Sequence, residues 1–276
     1  MSKLTNMSAE QEIQNKERFG FGKNWSSFLK TLTEERIITA ENSIKEMLKV
    51  NDLNGKSFID IGSGSGLFSL AARRLGASVF SFDYDIESYN CTKKLKEIYF
   101  PDDPEWNIKN ESVLDDSFIS MLDKYDVVYS WGVLHHTGDM WKALDNVSRL
   151  VKSNGFLFIA LYNDQGHKSK RWYKVKKMYN SGLSGRLIIK AIYLPYFFIM
   201  SIINSILKRK NLFKEYKKFR GMSVYHDWID WLGGFPFEVA SVDDVVEFYL
   251  KRGFYLFKVK TNLGLGNNHF VLKKFE

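Results

Sequence analysis

The sequence predicts an α/β protein built on a parallel sheet with helices on both sides. Apolar segments of strand length alternate with helical segments from residue 57 to residue 161, the order expected of β-α-β units. A turn with glycine at every second position joins the first strand to its helix at 62–66. Residues 156–161 are apolar at nearly every position, which is typical of a strand covered on both faces.

The pattern of apolar residues and breakers places seven strands and the helices between them. The strands are expected near residues 57–61, 78–83, 106–109, 126–130, 156–161, 254–261 and 269–275. Helices are expected near residues 66–75, 86–99, 140–151 and 241–252. Pro101 and the pair Asn154-Gly155 mark two element ends, and Ser241 is a candidate N-cap residue with Asp244 three positions later. The alternation is interrupted between residues 165 and 240, which indicates an insertion there.

The composition narrows the class of protein. The one cysteine, Cys91, excludes an intrachain disulfide, and residues 1–14 lack the apolar segment of a signal peptide, so a cytoplasmic protein is expected. The net charge of +8 is unevenly distributed. Residues 165–220 contain fifteen Lys and Arg against one acid, Glu215, a net charge of +14 that leaves −6 for the rest of the chain. One segment therefore supplies all of the basic character.

Residues 1–50 are polar and are predicted to form a helical cap before the first strand. Ile44, Met47 and Leu48 fall at helical spacing near its end. Two glycines between aromatic residues at 19–25 predict a loop within this region.

The segment Phe58–Gly66, the first strand and its turn, contains residues that could contact a ligand. Asp60 lies within the strand, and the glycines at 62, 64 and 66 let the backbone adopt positive φ and approach a ligand closely. The helix that follows directs its N-terminal N–H groups to the same place. A dinucleotide site has its third glycine one position later, and a P-loop has Lys followed by Ser or Thr after its last glycine. Neither pattern is present here.

The pattern Asp-x-Gly-x-Gly-x-Gly at 60–66 resembles the first motif of class I S-adenosylmethionine (SAM) methyltransferases. Ser130–Gly138, after the fourth strand, resembles the corresponding motif of the branch that includes ubiquinone-type O-methyltransferases. The resemblance covers residues 50–165 and, less closely, 241–276. It implies a Rossmann-like methyltransferase fold: a doubly wound, seven-stranded, mostly parallel sheet with an antiparallel last strand and a helical insertion after strand five. It also implies SAM as cofactor and S-adenosylhomocysteine as product.

The resemblance places the cofactor-binding residues at the carboxyl ends of the strands, where open α/β sheets bind their ligands. The first strand and its turn would face the aminocarboxypropyl group, Asp83 would accept hydrogen bonds from both ribose hydroxyls, and the methionine part would lie at the end of the fourth strand. The implied residues are Asp60, Gly62, Ser63, Gly64, Gly66, Asp83, Tyr84, Ser112, Val113, Ser130 and Trp131. Each feature also occurs without a cofactor, since glycine turns follow many strands and strand-end acids are often only solvated. Their order and spacing together favour the cofactor.

Three histidines are candidates for a catalytic base. Methyl transfer to a hydroxyl needs an aligned acceptor, a group that removes its proton, and the exclusion of water; histidine titrates near neutral pH. His135 and His136 follow the fourth strand beside the expected methyl group, and His226 precedes Asp227 in an aromatic segment. Each is equally compatible with a structural role in packing, helix capping or holding a lid. His167, after the fifth strand, is a further acceptor-facing position, and the spacing of histidines and acids requires no metal.

The chain is therefore expected to divide into an N-terminal helical cap at 1–50, a SAM-binding domain at 51–164 and 241–276, and an inserted lid at 165–240. Within the lid, residues 191–207 are seventeen positions without a charge, flanked by Lys and Arg. They are short for a membrane-spanning helix, which needs about 20 apolar residues. A buried helix, a helix at the membrane surface and a site for a phosphorylated acceptor all stay open. We expect a lid over the acceptor site that also contacts anionic lipid or a phosphorylated acceptor.

The residues and the resemblance together favour a SAM-dependent methyltransferase that O-methylates a small-molecule, sugar or lipid-linked acceptor. Class I enzymes share one scaffold for SAM, so the fold indicates the cofactor and not the acceptor. The basic insertion leaves an RNA methyltransferase as an alternative, although that segment is as apolar as it is basic and nucleic acid is the less expected partner. A non-catalytic SAM-binding protein is the third interpretation. The expected location is the cytoplasm, with the inner face of the membrane as a site of peripheral attachment.

Overall fold

Seven strands form one sheet in the part of the chain that the structure describes. The computed structural model describes residues 12, 19, 20, 29, 32–207 and 224–276. The strands are β1 (Ser57–Ile61), β2 (Ser78–Asp83), β3 (Trp106–Asn110), β4 (Tyr125–Trp131), β5 (Val151–Tyr162), β6 (Phe254–Lys260) and β7 (Asn267–Lys274). Their order across the sheet is β3-β2-β1-β4-β5-β7-β6. Strands β1 to β5 run parallel, and β7 pairs antiparallel with both β5 and β6. The predicted seven-stranded, mostly parallel, doubly wound sheet is confirmed.

Helices cover both faces of this sheet. They are α1 (Glu34–Leu48), α2 (Leu67–Arg74), α3 (Ile86–Tyr99), α4 (Asp116–Met121), α5 (Met140–Arg149), α6 (His167–Asn180), α7 (Leu183–Leu207), α8 (Val224–Gly233) and α9 (Val242–Leu250). On one face α1, α2 and α3 share a core with Val127 and Phe158. On the other, α4, α5 and α9 share a core with Val128 and Leu157. Because adjacent residues of a strand point to opposite faces, this arrangement requires the nearly continuous apolar sequence of the central strands.

The insertion after β5 consists of α6, α7 and α8 in the described part of the chain. A small core of Tyr179, Ile189 and Leu232, one residue from each helix, holds the three together. Residues 208–223, between α7 and α8, lie outside the described residues.

The predicted boundary between the helix at 140–151 and the fifth strand is wrong. The helix ends at Arg149 and β5 already begins at Val151, so Asn154-Gly155 lies within the strand. The first residue of β5 pairs with Tyr125, and a register shift separates this pair from the next. Asn154 still has a φ of +60°, so the predicted turn is present as a local irregularity within β5. Val151 is fully buried, and this burial holds the chain on the sheet before the irregularity.

The N-terminal region is described only in part. Helix α1 buries five apolar residues along one face, which agrees with the apolar spacing at the end of the predicted cap. Phe19 and Gly20 lie in neither helix nor strand, as the predicted loop requires, and the rest of that loop, 21–25, lies outside the described residues. The N–H of Phe19 donates to Phe235 O at 2.9 Å, so this segment contacts the chain just beyond α8.

Asp126 joins the starts of three strands at the edge of the sheet opposite the glycine turn. Its Oδ2 accepts hydrogen bonds from the N–H of Ser57 at 2.9 Å, the Ser57 hydroxyl at 2.7 Å and Lys152 Nζ at 2.8 Å. Burial acts to raise the pKa of the Asp126 carboxyl, but the hydrogen bonds and the Lys152 charge outweigh it and lower the pKa to about 2. The folded state therefore stabilises the charged carboxylate.

We expect Asp126→Asn to lower the free energy of unfolding at neutral pH by about 1–3 kcal/mol, because the amide loses the ion pair. The folded-state pKa of about 2 lies below the unfolded value of about 4. The stabilisation is thus present above about pH 4 and is lost as the pH falls towards about 2, so the gap in urea unfolding between wild type and variant should narrow there. Asp123→Asn, the same change at an exposed position, is the control and should cost less than about 0.5 kcal/mol. A gap that does not change with pH would contradict this account.

Candidate functional site

The glycine turn after β1 brings two loops into direct contact. Gly62, Gly64 and Gly66 have φ values of +74°, +55° and +78°, where side chains are strained. A Cβ atom on Gly62 would lie 2.4 Å from Cγ1 of Val133, in the loop that follows β4. Gly66 precedes α2 and lies against Thr92 of α3. Both the backbone conformation and the packing of this turn therefore require glycine.

The first three N–H groups of the turn already have partners within the protein. Those of Gly62 and Ser63 both donate to Phe82 O, at 2.8 and 3.2 Å. The N–H of Gly64 donates to Oδ2 of Asp83 at 2.8 Å. A phosphate-binding turn directs such groups at its ligand, so this turn suits a ligand that approaches the backbone without a phosphate.

Asp83, the last residue of β2, holds a fixed carboxylate at the same edge of the sheet. Its two oxygens accept hydrogen bonds from the N–H groups of Gly64 at 2.8 Å and Asp85 at 2.9 Å. These bonds orient the carboxylate at the carboxyl end of β2. The hydroxyl of the next residue, Tyr84, lies 3.2 Å from Glu12 Oε1. A carboxylate is the type of acceptor that two neighbouring hydroxyls, such as those of a ribose, require.

Asp60 and Tyr129 form a buried polar pair beneath the turn. They are neighbours in the register of β1 and β4, and both are buried. The Ser69 hydroxyl donates to Asp60 Oδ2 at 2.6 Å, yet burial raises the pKa of Asp60 to about 7. The Tyr129 hydroxyl has no hydrogen-bond partner among the described residues. A cationic ligand group near Asp60 would favour its charged form.

The remaining predicted cofactor residues follow β3 and end β4. The Ser112 hydroxyl accepts a backbone hydrogen bond within its own turn at 3.1 Å, and Val113 is buried. Ser130 is fully buried, and its hydroxyl donates to Ile61 O at 2.8 Å, which joins the ends of β4 and β1. Trp131, by contrast, is 41% exposed. The predicted set thus lies along the ends of β1 to β4, with Trp131 nearest the solvent.

His135 and His136 are enclosed by protein. Both are buried, and Nδ1 of His136 lies 2.5 Å from Pro236 O. Nδ1 of His135 accepts the N–H of Tyr162 at 3.4 Å, which places the proton on Nε2, an atom with no partner in the described part of the chain. Burial lowers the pKa of His135 well below its ordinary value, so the ring is neutral. An acceptor would reach His135 only by displacing protein atoms.

The two other predicted histidines lie in the insertion. His226 belongs to α8, but its side chain lies outside the described residues. His167 is the first residue of α6 and is exposed.

His269 is a histidine that sequence reasoning missed. It lies on β7 opposite Ala160 of β5, and Ala160 pairs on its other side with Trp131. The rings of His269 and Trp131 are 5.5 Å apart. Burial, with a smaller effect from Lys260, lowers the pKa of His269. Only the antiparallel return of β7 brings this residue to the carboxyl ends of β4 and β5, and no local sequence signal shows that pairing.

The insertion is attached to the sheet through Tyr162, at the end of β5. The ring centroid of Tyr162 lies 5.6 Å from that of Trp231 in α8 and 5.2 Å from that of Phe237. Lys176 of α6 is fully buried beside these rings, and its Nζ donates to Trp231 O. Burial lowers the pKa of Lys176 to about 7. In the sequence this residue is one more cation of a basic segment, and its burial appears only once α6 packs on α8.

Comparisons with known proteins agree with this geometry. A family model described as a methyltransferase domain matches residues 33–212. The ubiquinone biosynthesis O-methyltransferase of Pelagibacter ubique (strain HTCC1062) is 33% identical over 131 residues, 45% of this chain and 50% of the relative. That of Glaesserella parasuis serovar 5 (strain SH0165) is 29% identical over 115 residues, 42% of this chain and 49% of the relative. The chain spans about half the length of the curated relatives it matches.

A solved structure shows the same fold over most of the chain. The magnesium protoporphyrin IX methyltransferase of Synechocystis PCC 6803, with bound SAH, has a TM-score of 0.52 at 12% identity and covers 86% of this chain and 83% of its own. The family match extends from α1 to the end of α7 and so includes the glycine turn, Asp83 and the loop after β4. The chain belongs to the methyltransferase domain family, within the class I SAM-dependent methyltransferases.

Proposed function

We propose that this protein transfers a methyl group from SAM to a hydroxyl oxygen of a small-molecule, sugar or lipid-linked acceptor. The observation that carries the proposal is the meeting of three features at one edge of the sheet: the glycine turn after β1, Asp83 after β2, and the loop after β4. The approach of Gly62 to Val133, and the hydrogen bond from Gly64 to Asp83, join all three. The similarity to ubiquinone biosynthesis O-methyltransferases supports oxygen as the methylated atom.

The residues of this edge suit SAM. The carboxylate of Asp83 would hold the two ribose hydroxyls, and Asp60 would face the amino group of the methionine part. Ser112 and Val113 would border the adenine, and Trp131 would lie towards the methyl end. When bound, SAM supplies the reactive methyl group. The protein has to align the acceptor, remove its proton and keep water out.

We further propose His269 as the base, because an acceptor can reach it without rearrangement of the core. His269 is only partly buried beside Trp131, whereas His135 and His136 are enclosed. Asn267 lies two positions before His269 on β7. Its Oδ1 is buried and lacks a partner among the described residues, so it can accept a hydrogen bond there. Because burial lowers the pKa of His269, its ring is neutral at pH 7 and can take the proton that the hydroxyl loses.

In the same proposal the insertion at 165–240 is a lid over the acceptor, and His135 and His136 hold the loop after β4 in place. Two contacts support this arrangement. The ring of Tyr162 packs against that of His135 with centroids 4.0 Å apart, and the N–H of Glu238 donates to His135 O at 3.0 Å. His226, in α8, is the candidate acid–base residue from the lid itself.

Incubation with labelled SAM and fractionated cell extract should give a labelled small or lipid-linked product, which mass analysis should identify as an O-methyl compound. Label in RNA, with binding that weakens steeply as salt increases, would favour the RNA methyltransferase instead. SAM binding with no S-adenosylhomocysteine formed in any fraction would favour a non-catalytic protein and would overturn the proposal.

Gly62→Ala should weaken SAM binding by at least about tenfold and destabilise the fold by about 2–4 kcal/mol, since the turn must move to relieve the overlap. The new Cβ would have a φ of +74° and lie 2.4 Å from Val133. Gly55→Ala is the matched control, because its φ is +69° with no atom within 4 Å of the added Cβ. That variant carries backbone strain alone, about 1–2 kcal/mol, and should bind SAM as wild type does. Calorimetric titration and urea unfolding provide the two readouts; equal SAM affinities would count against the site.

His269→Ala should lower kcat at saturating SAM by about 10²–10⁴-fold with little change in SAM affinity. Wild-type activity should rise with pH through a pKa below 6.5, as the His269 ring loses its proton, and the variant should lack this limb of the profile. Alanine variants of His135, His136 and His226 test the candidates that the sequence suggests. Unchanged turnover in all four variants would exclude these four histidines as the base.

A further inference from the structure

Helix α7 exposes an apolar surface along its length. Of the helices in the described residues, it is the one that by length and composition could cross a membrane, with a mean hydropathy of 1.8, yet only 6% of its most apolar stretch is buried. Twelve of its large apolar side chains are exposed, among them Leu187, Ile192, Ile199, Ile203 and Ile206. A water-facing helix normally turns such residues towards the protein.

On α7 most large apolar residues are exposed and the charged residues are partly buried, the reverse of a helix on the surface of a soluble domain. Its charged residues, Arg186 and Lys190, and the polar Asn204 are partly buried. Tyr193, also partly buried, packs on Trp172 of α6 with ring centroids 5.2 Å apart. The exposed residues of α7 therefore include no charge.

The cations that precede and follow the apolar stretch of α7 have no acidic neighbours in the sequence. Residues 165–207 contain eight Lys and Arg and no Asp or Glu, and Lys208-Arg209-Lys210 follows. The exposed cations of α6 are Lys168, Lys170, Arg171, Lys174 and Lys177. The ion pairs found in the described part of the chain involve none of them.

We propose that the exposed face of α7 docks onto the surface of an anionic lipid bilayer, with the cations of α6 at the headgroup phosphates. A large apolar face beside basic residues is what an interfacial helix needs. The helix lies along the surface and does not cross the bilayer, because Ile189, Tyr193 and Phe197 pack on the other insertion helices and lipid cannot surround it there. A second copy of the chain would cover the apolar face but would bring two basic surfaces together.

The side of α7 opposite the docked face is connected to the candidate acceptor site by a series of aromatic rings. Tyr193 of α7 lies 5.2 Å from Trp172, Trp172 lies 5.2 Å from Trp231, and Trp231 lies 5.6 Å from Tyr162. A lipid-linked acceptor would thus have its reacting hydroxyl at the sheet edge and its apolar chain at the bilayer. This extension to the acceptor rests on the proposed function, whereas docking itself does not.

Co-sedimentation of the full chain with vesicles tests the docking. Binding is expected for phosphatidylcholine vesicles that contain about 30 mol% phosphatidylglycerol, and not for phosphatidylcholine alone. Replacing Lys170, Arg171 and Lys174 with Gln should weaken binding about fivefold for each change at low salt. The double variant Ile199→Glu, Ile203→Glu should weaken it about a hundredfold or more, since each apolar side chain withdrawn from lipid costs about tenfold.

A matched control places the same two charges on other exposed apolar residues, as Ile98→Glu and Met121→Glu; it should bind as wild type does. Circular dichroism and thermal unfolding check that each variant is folded. Because Cys91 is buried, a polarity-sensitive fluorophore on Ile199→Cys reports the contact independently, and its emission should shift to the blue on anionic vesicles.

Failure of the folded wild type to bind anionic vesicles would overturn the proposal, and so would equal binding by the Ile199/Ile203 variant. A dimer that this variant abolishes, without vesicle binding, would assign the face to a second copy and overturn it as well, as would salt-sensitive RNA binding in place of vesicle binding. Vesicle binding together with methyl transfer only to water-soluble acceptors would leave the docking intact and overturn the lipid-linked acceptor alone.

Discussion

The contact between the backbone of Gly62 and the side chain of Val133 is the constraint on which the candidate site depends. It exists because residue 62 has no side chain, and the bond from the Ser130 hydroxyl to Ile61 O fixes the same two strand ends from the other side. With β1 and β4 held in this way, Asp60 lies beneath the turn and Asp83 is bound to its backbone. The loop that carries His135 and His136 is held by the same contact.

The positions of the glycine turn, Asp83 and the loop after β4 at one edge of the sheet could be predicted because their signals are local. Each signal occupies only a few consecutive residues. The signals are a glycine turn, an acid at the end of the next strand, and the apolar sequences of β4 and β5. The β-α-β rule then places strand ends from different parts of the sequence at one edge. The seven strands were found for the same reason, and the misplaced start of β5 is a case in which burial of Val151 outweighed the turn signal of Asn154.

The positions of His269 and Lys176 and the exposed side of α7 could not be predicted, because they depend on packing between distant segments. His269 reaches the edge through antiparallel pairing with β5, and Lys176 is buried only because α6 packs on α8. The sequence of α7 shows that apolar and basic residues occur together, but it does not show which side of the helix faces outward. Only the exposure of Ile192, Ile199 and Ile206, with Lys190 partly buried, resolves that question.

The buried His135 and Lys176 show how the insertion changes the chemistry of the edge it covers. Burial lowers the pKa of both, and the neighbouring Lys176 and His136 act in the same direction on His135. The lowered pKa values of both groups therefore depend on the continued packing of Tyr162, Trp231 and α6 around them. The insertion therefore surrounds these two side chains with a low-polarity environment.

Docking through the exposed apolar face of α7 would also determine the acceptor concentration that the protein experiences. A chain held at a lipid surface diffuses in two dimensions, and the acceptor concentration that it experiences is the number of acceptor molecules per unit area. Diluting the acceptor among other lipids would then slow the reaction even when the amount of acceptor per volume is constant. Docking through this one helix would therefore change the concentration scale on which the protein operates.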